Sequence, residues 1–276
     1  MFKLRRVPVF ALVFLSLILA CTTTGPGGKK SFIVIPTSQE VTIGQGMAHE
    51  VEQTEKTLPD TLWQNYLARV GRKITSVCDR NDLEYHFKVI ESDQINAFAA
   101  PGGYVYFYTG LLREMHSEAE MAAVMAHEIS HVVGRHGIKR LQATLGVALA
   151  YQLAFGDGGS QAVNTAVGVG MGLIFAGYSR DNEREADRFG IQYMVKAGYD
   201  PQGAVAMFNT LARLGGSGSN NVYEKLSSSH PETAERIQNA EAEIAAMQPL
   251  PSGLTSGGTK YAEMLKRLPP KAPAKK

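Results

Sequence analysis

One short motif constrains this chain more than any other feature of its sequence. His127, Glu128 and His131 form the pattern H-E-x-x-H, and apolar residues flank it on both sides. Residues four apart on an α-helix are offset by about 40° around the axis and about 6 Å along it, so both imidazoles share one face. Two imidazoles placed in this way bind a single tetrahedral Zn²⁺. The motif therefore predicts a helix that carries part of a metal site.

The residues around the motif predict where that helix begins and what its glutamate does. Ser117 and Glu120 have the spacing of a capping box, which opens a helix, and we expect the helix to run to about His136 with Gly137 as its terminator. Zinc lowers the pKa of a water that it binds toward about 7. The Glu128 carboxylate would then accept the proton of that water as it attacks a carbonyl carbon.

The residues alone leave the third ligand open. His136 is one candidate, but the metzincin pattern H-E-x-x-H-x-x-G-x-x-H places its third histidine where Gly137 stands. On a continuous helix His136 would also face away from His127, so we interpret it as a structural hydrogen-bonding or capping residue. Glu183 is the better candidate, because Asp187 shares its helical face and could orient a ligand histidine. The alternative is that both carboxylates belong to a solvated charged face.

The remainder of the chain predicts a mainly helical α+β domain. Of its 276 residues, 44% are hydrophobic and 20% are charged, which suits one globular domain with a core. Residues 84–91, 97–100 and 104–109 predict strands, and we expect them to form a small antiparallel sheet beside the motif helix. Further helices are expected from Ser179 to Gly198 and from Pro201 onward. The formal net charge of +2 gives no argument for a nucleic-acid partner.

The N-terminus predicts export and lipidation. Basic residues precede an apolar run that ends in Ala-Cys, which is typical of a bacterial lipoprotein signal, with an ordinary secretory signal as the alternative. We expect residues 1–20 to be the signal peptide, with Cys21 carrying the lipid. Residues 21–35 are then the lipidated N-terminus and a flexible tether, residues 36–249 the folded domain and residues 250–276 a loose tail rich in Pro and Lys.

Residues 141–178 allow two interpretations. They are rich in Ala, Gly and Val and contain a Gly-Asp-Gly-Gly segment at 156–159. One interpretation is a pair of buried helices joined by a loop at that segment. The other is a mobile or membrane-touching flap over a cleft, although each half is short for a membrane span.

Four motifs in a fixed order resemble the HtpX-like and CaaX prenyl protease family of gluzincins. They are H-E-x-x-H at 127–131, E-x-E-A-D at 183–187, N-A-F-A-A-P-G-G-Y-V-Y at 96–106 and S-H-P-x-x-x-E-R-I at 229–237. The resemblance implies a zincin-type catalytic domain with one Zn²⁺ per chain. It implies His127, His131 and Glu183 as the ligands, Glu128 as the catalytic base and Asp187 as a partner of a ligand.

The resemblance also implies roles for two other segments. His230 would stabilise the oxyanion, or act as a switchable fourth ligand that blocks the water site. The strand segment with Asn96, Ala97, Phe98 and Ala99 would pair with an extended substrate, which gives sequence-tolerant binding through the backbone.

The implied function is that of a zinc endopeptidase. Polytopic members of the family have clear membrane-spanning helices, and this sequence instead resembles the periplasmic lipoprotein branch. The expected substrates are unfolded or misassembled cell-envelope proteins, and the expected location is the periplasmic side of the outer membrane, through acylated Cys21. The alternatives are a latent or chaperone-like factor that binds outer-membrane proteins with little proteolysis, and a membrane peptidase that inserts residues 141–178.

Overall fold

The computed structural model describes residues 21–23, 25–28, 30–156, 159–216, 230 and 234–271. The expected signal peptide, residues 1–20, lies outside the described residues, and the side chain of Cys21 does as well.

The segment expected to be a flexible tether is partly structured. Strands β1 (Cys21–Thr23) and β2 (Lys30–Phe32) form an antiparallel pair. Ile33 and Ile35 follow this pair and are buried in the core, where they anchor the chain before the first helix. A tether that reaches residue 35 is therefore wrong, because apolar side chains from its end are removed from water.

A small mixed sheet lies beside the motif helix. Its strands are β3 (His86–Ile90), β4 (Ala97–Ala100) and β5 (Tyr104–Tyr108), in the order β3-β5-β4. The β4–β5 pair is antiparallel as predicted, but β3 and β5 are parallel, so a wholly antiparallel sheet is wrong. The reason is that the turn at Pro101–Gly103 returns β5 between the two earlier strands, and β4 is left as an edge strand.

Helices make up most of the described chain, as predicted, and the mainly helical α+β class is confirmed. They are α1 (Thr37–Thr54), α2 (Thr61–Thr75), α3 (Thr109–Glu114), α4 (Glu118–Val133), α5 (His136–Phe155), α6 (Ser160–Leu173), α7 (Arg180–Lys196), α8 (Gln202–Gly216), α9 (Ala234–Ala246) and α10 (Gly258–Leu265).

The motif helix α4 lies at the centre of the fold and is buried at every position. It begins where the sequence predicts, because the Ser117 hydroxyl accepts a hydrogen bond from the Glu120 amide. It packs closely against α7: a Cβ atom at Gly190 would lie 3.2 Å from the backbone nitrogen of His127. A glycine there lets the two backbones approach, and this approach brings the carboxylates of α7 to the histidines of α4.

The end of the motif helix differs from the prediction. Helix α4 stops at Val133 and is capped by Gly134, after which Arg135 adopts a left-handed conformation with φ of 50°. A new helix starts at His136, so Gly137 lies inside α5 instead of ending α4. The expectation that His136 continues the helix is therefore wrong, because a left-handed residue redirects the chain before it.

The C-terminal region is also more ordered than the expected loose tail. Helix α10 buries Tyr261 and Met264 in the main core. The Tyr261 hydroxyl donates to the Leu112 carbonyl at 2.7 Å, and the Trp63 indole donates to the Met264 carbonyl at 3.0 Å. Residues up to 271 thus belong to the folded body, since apolar packing outweighs their Pro-rich and Lys-rich composition.

The described part of residues 141–178 is helical, as the first of the two interpretations predicts. Helices α5 and α6 pack on each other and on α1, and α6 buries Ala162, Ala166 and Gly170 on one side. Their other sides are partly or fully exposed, so the helices are only half buried. In the part of the chain that the structure describes, we find no helix with the length and hydrophobicity of a membrane span.

Candidate metal centre

Two helices and one further residue bring potential metal ligands together. Helix α4 supplies His127 and His131, helix α7 supplies Glu183, and His230 precedes α9 in the chain. One donor atom from each of these buried residues lies within 4.8 Å of all the others. The sequence prediction therefore selected four residues that the fold gathers at one point.

The spacing of the donors fits a tetrahedral ion. The Nε2 atoms of His127 and His131 are 3.1 Å apart, and Glu183 carboxylate oxygens lie 3.5 Å and 3.4 Å from them respectively. Ligand atoms that bind one zinc tetrahedrally at 2.0–2.1 Å are separated by about 3.3 Å. Each histidine thus has a Glu183 oxygen at about this spacing, Oε2 for His127 and Oε1 for His131, so the three residues are close enough to share one zinc ion.

His230 supplies a fourth donor. Its Nδ1 atom is 3.1 Å from the Nε2 atom of His127 and 3.0 Å from a Glu183 oxygen. Its other ring nitrogen, Nε2, lies 3.6 Å from the Glu128 carboxylate. The residue can therefore contact both the metal position and the expected catalytic base.

The charges at this centre also favour a cation. Glu128, Glu183 and Asp187 are all buried, and the buried guanidinium of Arg236 pairs with Asp187 and Glu183. Burying an excess of carboxylates costs several kcal/mol per uncompensated ion unless an opposite charge is supplied. A divalent cation at the donor cluster would supply it.

Burial sets the protonation states of the central residues. It raises the pKa of Glu128 above its ordinary value, which suits a general base, and lowers the pKa of His131 well below its own, which keeps that imidazole neutral. Burial opposes ionisation of Glu183 as well. There the neighbouring His230 and His131 prevail and hold the pKa of the carboxyl far below its usual range.

Asp187 contacts the first histidine, as the sequence analysis predicts for a ligand partner. Its carboxylate lies 2.8 Å from Nδ1 of His127 and is held by Arg236 at 2.8 Å and 2.7 Å. Arg236 was missed as a site residue. Its only signal in the sequence is its place in the E-R-I end of the late motif, where an arginine carries no indication of its partner.

Two further residues lie at the centre, of which Tyr178 was missed and His136 was expected only to make structural hydrogen bonds. The Tyr178 ring stacks on His131 with centroids 4.1 Å apart and planes 21° from parallel. His136, interpreted as structural, lies with its Nδ1 atom 2.8 Å from Nδ1 of His131. Neither contact was visible in the sequence, because both residues reach the centre only through the break after α4 and the path of the chain beyond α6.

The expected substrate strand borders the centre. Burial raises the pKa of Glu128, and the nearby backbone of Ala99, on edge strand β4, opposes that rise. The side chains of Asn96, Ala97 and Phe98 are buried, and that of Ala99 is partly exposed. Asn96 therefore offers no side chain to a substrate, and binding along this segment would use the backbone of β4.

An H-E-x-x-H helix joined by a glutamate from a second helix is the arrangement of the glutamate-ligand zincins, a class of metallopeptidases. The sequence model of peptidase family M48 matches residues 61–244, which include α2 to α8 and most of α9. The chain belongs to this family.

The chain is similar to named proteases from bacteria and mitochondria. The beta-barrel assembly-enhancing protease of Yersinia pestis is 29% identical over 238 residues, which cover 82% of this chain and 48% of that protein. Metalloprotease YcaL of Escherichia coli is 28% identical over 227 residues, 81% of this chain and 87% of YcaL. Mitochondrial metalloendopeptidase OMA1 of Schizosaccharomyces pombe is 33% identical over 186 residues, 66% and 52% of the two chains. The chain spans about half the length of the beta-barrel assembly-enhancing proteases that it matches.

Proposed function

We propose that this protein is a zinc-dependent endopeptidase that cleaves unfolded or misassembled proteins of the bacterial cell envelope. The observation that carries the proposal is the convergence of His127, His131 and Glu183 at tetrahedral spacing, with Glu128 beside them. Membership of peptidase family M48 supports the activity. The names of the bacterial relatives, among them a beta-barrel assembly-enhancing protease, support envelope proteins as the substrate class.

The chain's own residues divide the work of hydrolysis. His127, His131 and Glu183 would hold Zn²⁺, which when bound supplies Lewis acidity that polarises the scissile carbonyl and acidifies water. Glu128 accepts a proton from the attacking water and delivers it to the leaving amine. The Asp187 carboxylate lies 2.8 Å from Nδ1 of His127, a contact that favours a proton on Nδ1 and would leave Nε2 of that ring free to bind metal.

We infer that an extended substrate aligns along β4. As an edge strand, β4 has one side that no other strand of this sheet occupies, and an added peptide could pair with its backbone. The packing of β4 against the motif helix supports this inference, because the backbone of Ala99 is near enough to the proposed base, Glu128, to lower its pKa against the effect of burial. Pairing through the backbone would tolerate many substrate sequences, which suits a protease that acts on unfolded proteins.

His230 is proposed to keep the site latent. Catalytic zinc sites leave one coordination position open, whereas a site with four protein ligands is closed. The position of the His230 Nδ1 atom supports a closed resting state, since it lies at about tetrahedral spacing from two of the other donors. Hydrolysis would then require His230 to withdraw, after which the same ring could stabilise the oxyanion.

The proposed location is the periplasmic face of the outer membrane. Four ordered motifs resemble the periplasmic lipoprotein branch of the HtpX-like and CaaX family, and residues 1–20 with Cys21 have the pattern of a lipoprotein signal. A Cys21→Ala variant is expected to leave the membrane fraction. Retention in that fraction after high-salt washing would contradict anchoring through this cysteine.

The activity is tested by replacing the proposed base. Glu128→Gln is expected to retain zinc and to lose cleavage of casein by about 10²–10⁴-fold, because the proton acceptor is removed. Glu50→Gln, an exposed substitution on α1, is the matched control and should cleave as the wild type does. Cleavage by Glu128→Gln at the wild-type rate would overturn the proposal.

Latency is tested by removing the fourth donor. His230→Ala is expected to cleave casein faster than the wild type at the same zinc content, because the coordination position becomes available to water. Slower cleavage by this variant would favour the oxyanion role over latency. If neither protein cleaves any unfolded substrate although both bind zinc, the chaperone-like alternative is favoured instead.

A further inference from the structure

A buried hydrogen-bond chain leads away from the metal centre through His131. The Nδ1 atom of His131 lies 2.8 Å from Nδ1 of His136, and Nε2 of His136 lies 3.2 Å from a Glu185 oxygen. The His136 side chain is 1% exposed and that of Glu185 is 9% exposed. Bulk water therefore has little access to these contacts.

The donors and acceptors in this chain can be ordered in only one way if His131 binds metal through Nε2. An ionised carboxylate only accepts, so the Nε2 atom of His136 must carry hydrogen and donate to Glu185. The Nδ1 atom of a neutral His136 is then an acceptor, and Nδ1 of His131 must donate to it. This order leaves the lone pair of His131 on Nε2, the atom that lies 3.4 Å from the Glu183 carboxylate.

The backbone is shaped to deliver His136 to this position. Helix α4 stops at Val133, and a side chain at the capping residue Gly134 would collide with the His136 ring. Arg135 takes the left-handed conformation that reverses the chain, and it is held by Glu40 at 2.8 Å and by the Ile35 carbonyl at 2.7 Å. A left-handed conformation at a residue other than glycine is unfavourable, so surrounding contacts must compensate for it.

We propose that His136 and Glu185 are positioning residues that fix the tautomer and orientation of His131 for metal binding. The inference deepens the proposed function and rests on it, because it assumes that His131 binds zinc. Helix α7 would then serve the metal with three carboxylates on alternate residues. Glu183 binds directly, Asp187 acts through His127, and Glu185 acts through His136 and His131.

The test is the affinity of the intact protein for zinc, measured by competition with a chromophoric chelator and independent of cleavage. His136→Phe keeps an aromatic ring of similar size but cannot accept from His131, and it is expected to bind zinc 10–100-fold more weakly than the wild type. The apo form of each variant is checked by circular dichroism. A folded His136→Phe that binds zinc within twofold of the wild type would overturn the proposal.

A double-mutant cycle tests whether Glu185 acts on zinc binding through His136, in a relay of hydrogen bonds from Glu185 through His136 to His131, or through an independent structural effect. Glu185→Gln alone is expected to weaken zinc binding several-fold, but to add nothing once His136→Phe is present, since the relay is already broken. An equal effect in both backgrounds would overturn the relay. If His136→Phe does not fold, the zinc affinity of Glu185→Gln is the test. Weaker zinc binding supports the proposal, and unchanged zinc binding contradicts it.

The same measurement distinguishes two kinds of failure. A wild-type protein that binds no stoichiometric zinc would refute the proposed function. A wild-type protein that binds zinc tightly, with affinity that Glu185→Gln leaves unchanged, would refute only the role of His136 and Glu185.

Discussion

Helix α4 is contacted by two buried charged clusters that are neutralised in different ways. Beyond its C-terminal end, Glu40 is paired with two arginines: Arg80 donates to both of its oxygens at 2.9 Å and 2.8 Å, and Arg135 approaches at 2.8 Å. At the metal centre, by contrast, buried carboxylates exceed the buried guanidinium of Arg236. With Asp82, which lies 3.1 Å from Arg80, the arginine cluster has as many carboxylates as arginines, whereas a bound cation would balance the metal centre.

The comparison indicates that the Glu40 cluster can form during folding without a ligand, whereas the metal centre is completed by a bound cation. Arginine remains charged at all relevant pH values, so the Glu40 cluster forms without any ligand and fixes the end of the motif helix. Arg80 also donates to the Val132 carbonyl at 3.1 Å, which ties the cluster to the last turn of α4. The apo protein should therefore keep the frame of the site, and the metal should add stability locally.

The largest expected effect is the loss of the carboxylate that pairs with two arginines. Glu40→Gln removes the buried counter-charge of Arg80 and Arg135 and leaves Arg80 with only the exposed Asp82, so it should lower the free energy of unfolding by about 3–5 kcal/mol. Chemical denaturation with chelator present measures this loss without any contribution from metal. Glu91→Gln, which breaks the surface ion pair with Lys56, is the control and should cost about 0–1 kcal/mol.

Removal of the metal is expected to have the next largest effect. A ligand at a thousand times its dissociation constant stabilises the native state by about 4 kcal/mol, so a chelator should lower the unfolding midpoint of the zinc-loaded protein accordingly. Thermal denaturation with and without chelator tests this. The Glu183→Gln variant should not respond to chelator. A response equal to that of the wild type would contradict the assignment of Glu183 as a ligand.

A third buried carboxylate, Glu118 at the start of α4, is expected to make the stability of the protein depend on pH in the acidic range. Glu118 accepts hydrogen bonds from Tyr66 at 2.6 Å, Tyr199 at 2.9 Å and the half-exposed Arg69 at 2.7 Å. Burial opposes its ionisation, but these donors prevail and lower the pKa of the carboxyl. Glu118→Gln should therefore cost about 2 kcal/mol at pH 7.

The sign of the pH effect follows from this lowered pKa. The stabilisation is present above the pKa of an unfolded glutamate, about 4.3, and is lost as the pH falls through the lower folded value. The wild type should thus lose more stability than Glu118→Gln between about pH 5 and pH 2. Parallel acid denaturation curves for the two proteins would contradict the prediction.

The smallest expected effect concerns the cap of the same helix. Ser117→Ala removes the acceptor of the Glu120 amide and should lower the free energy of unfolding by about 1 kcal/mol. Urea denaturation is sensitive enough to measure this change. Ser117→Asp, which restores an acceptor, should recover most of the loss, and no recovery would mean that capping is not the cause.

The parts of the fold that the sequence predicts well are those set by local spacing. The four-residue interval of His127 and His131, and the capping pair at the start of α4, depend only on helix geometry. Glu183 was identifiable because its segment matches a known motif, although its distance to the histidines depends on the packing of α7. The ligand set was therefore predictable in large part, residue by residue.

The parts that the sequence does not predict depend on contacts between distant residues. Helix α4 ends early because Glu40, far away in the chain, holds Arg135 in a left-handed conformation. The parallel pairing of β3 with β5 and the burial of Tyr261 likewise follow from tertiary packing. His136 and Arg236 were missed as contacts of the metal centre for the same reason.

The most direct test of the central claim is the zinc content of the purified protein after dialysis, measured by mass spectrometry for the wild type and two variants. The wild type is expected to retain about one zinc per chain, and so is the control Asp181→Asn, an exposed substitution on α7, the helix that carries Glu183. Glu183→Gln is expected to lose most of the zinc. Full retention of zinc by Glu183→Gln, with unchanged affinity, would contradict a centre built from His127, His131 and Glu183.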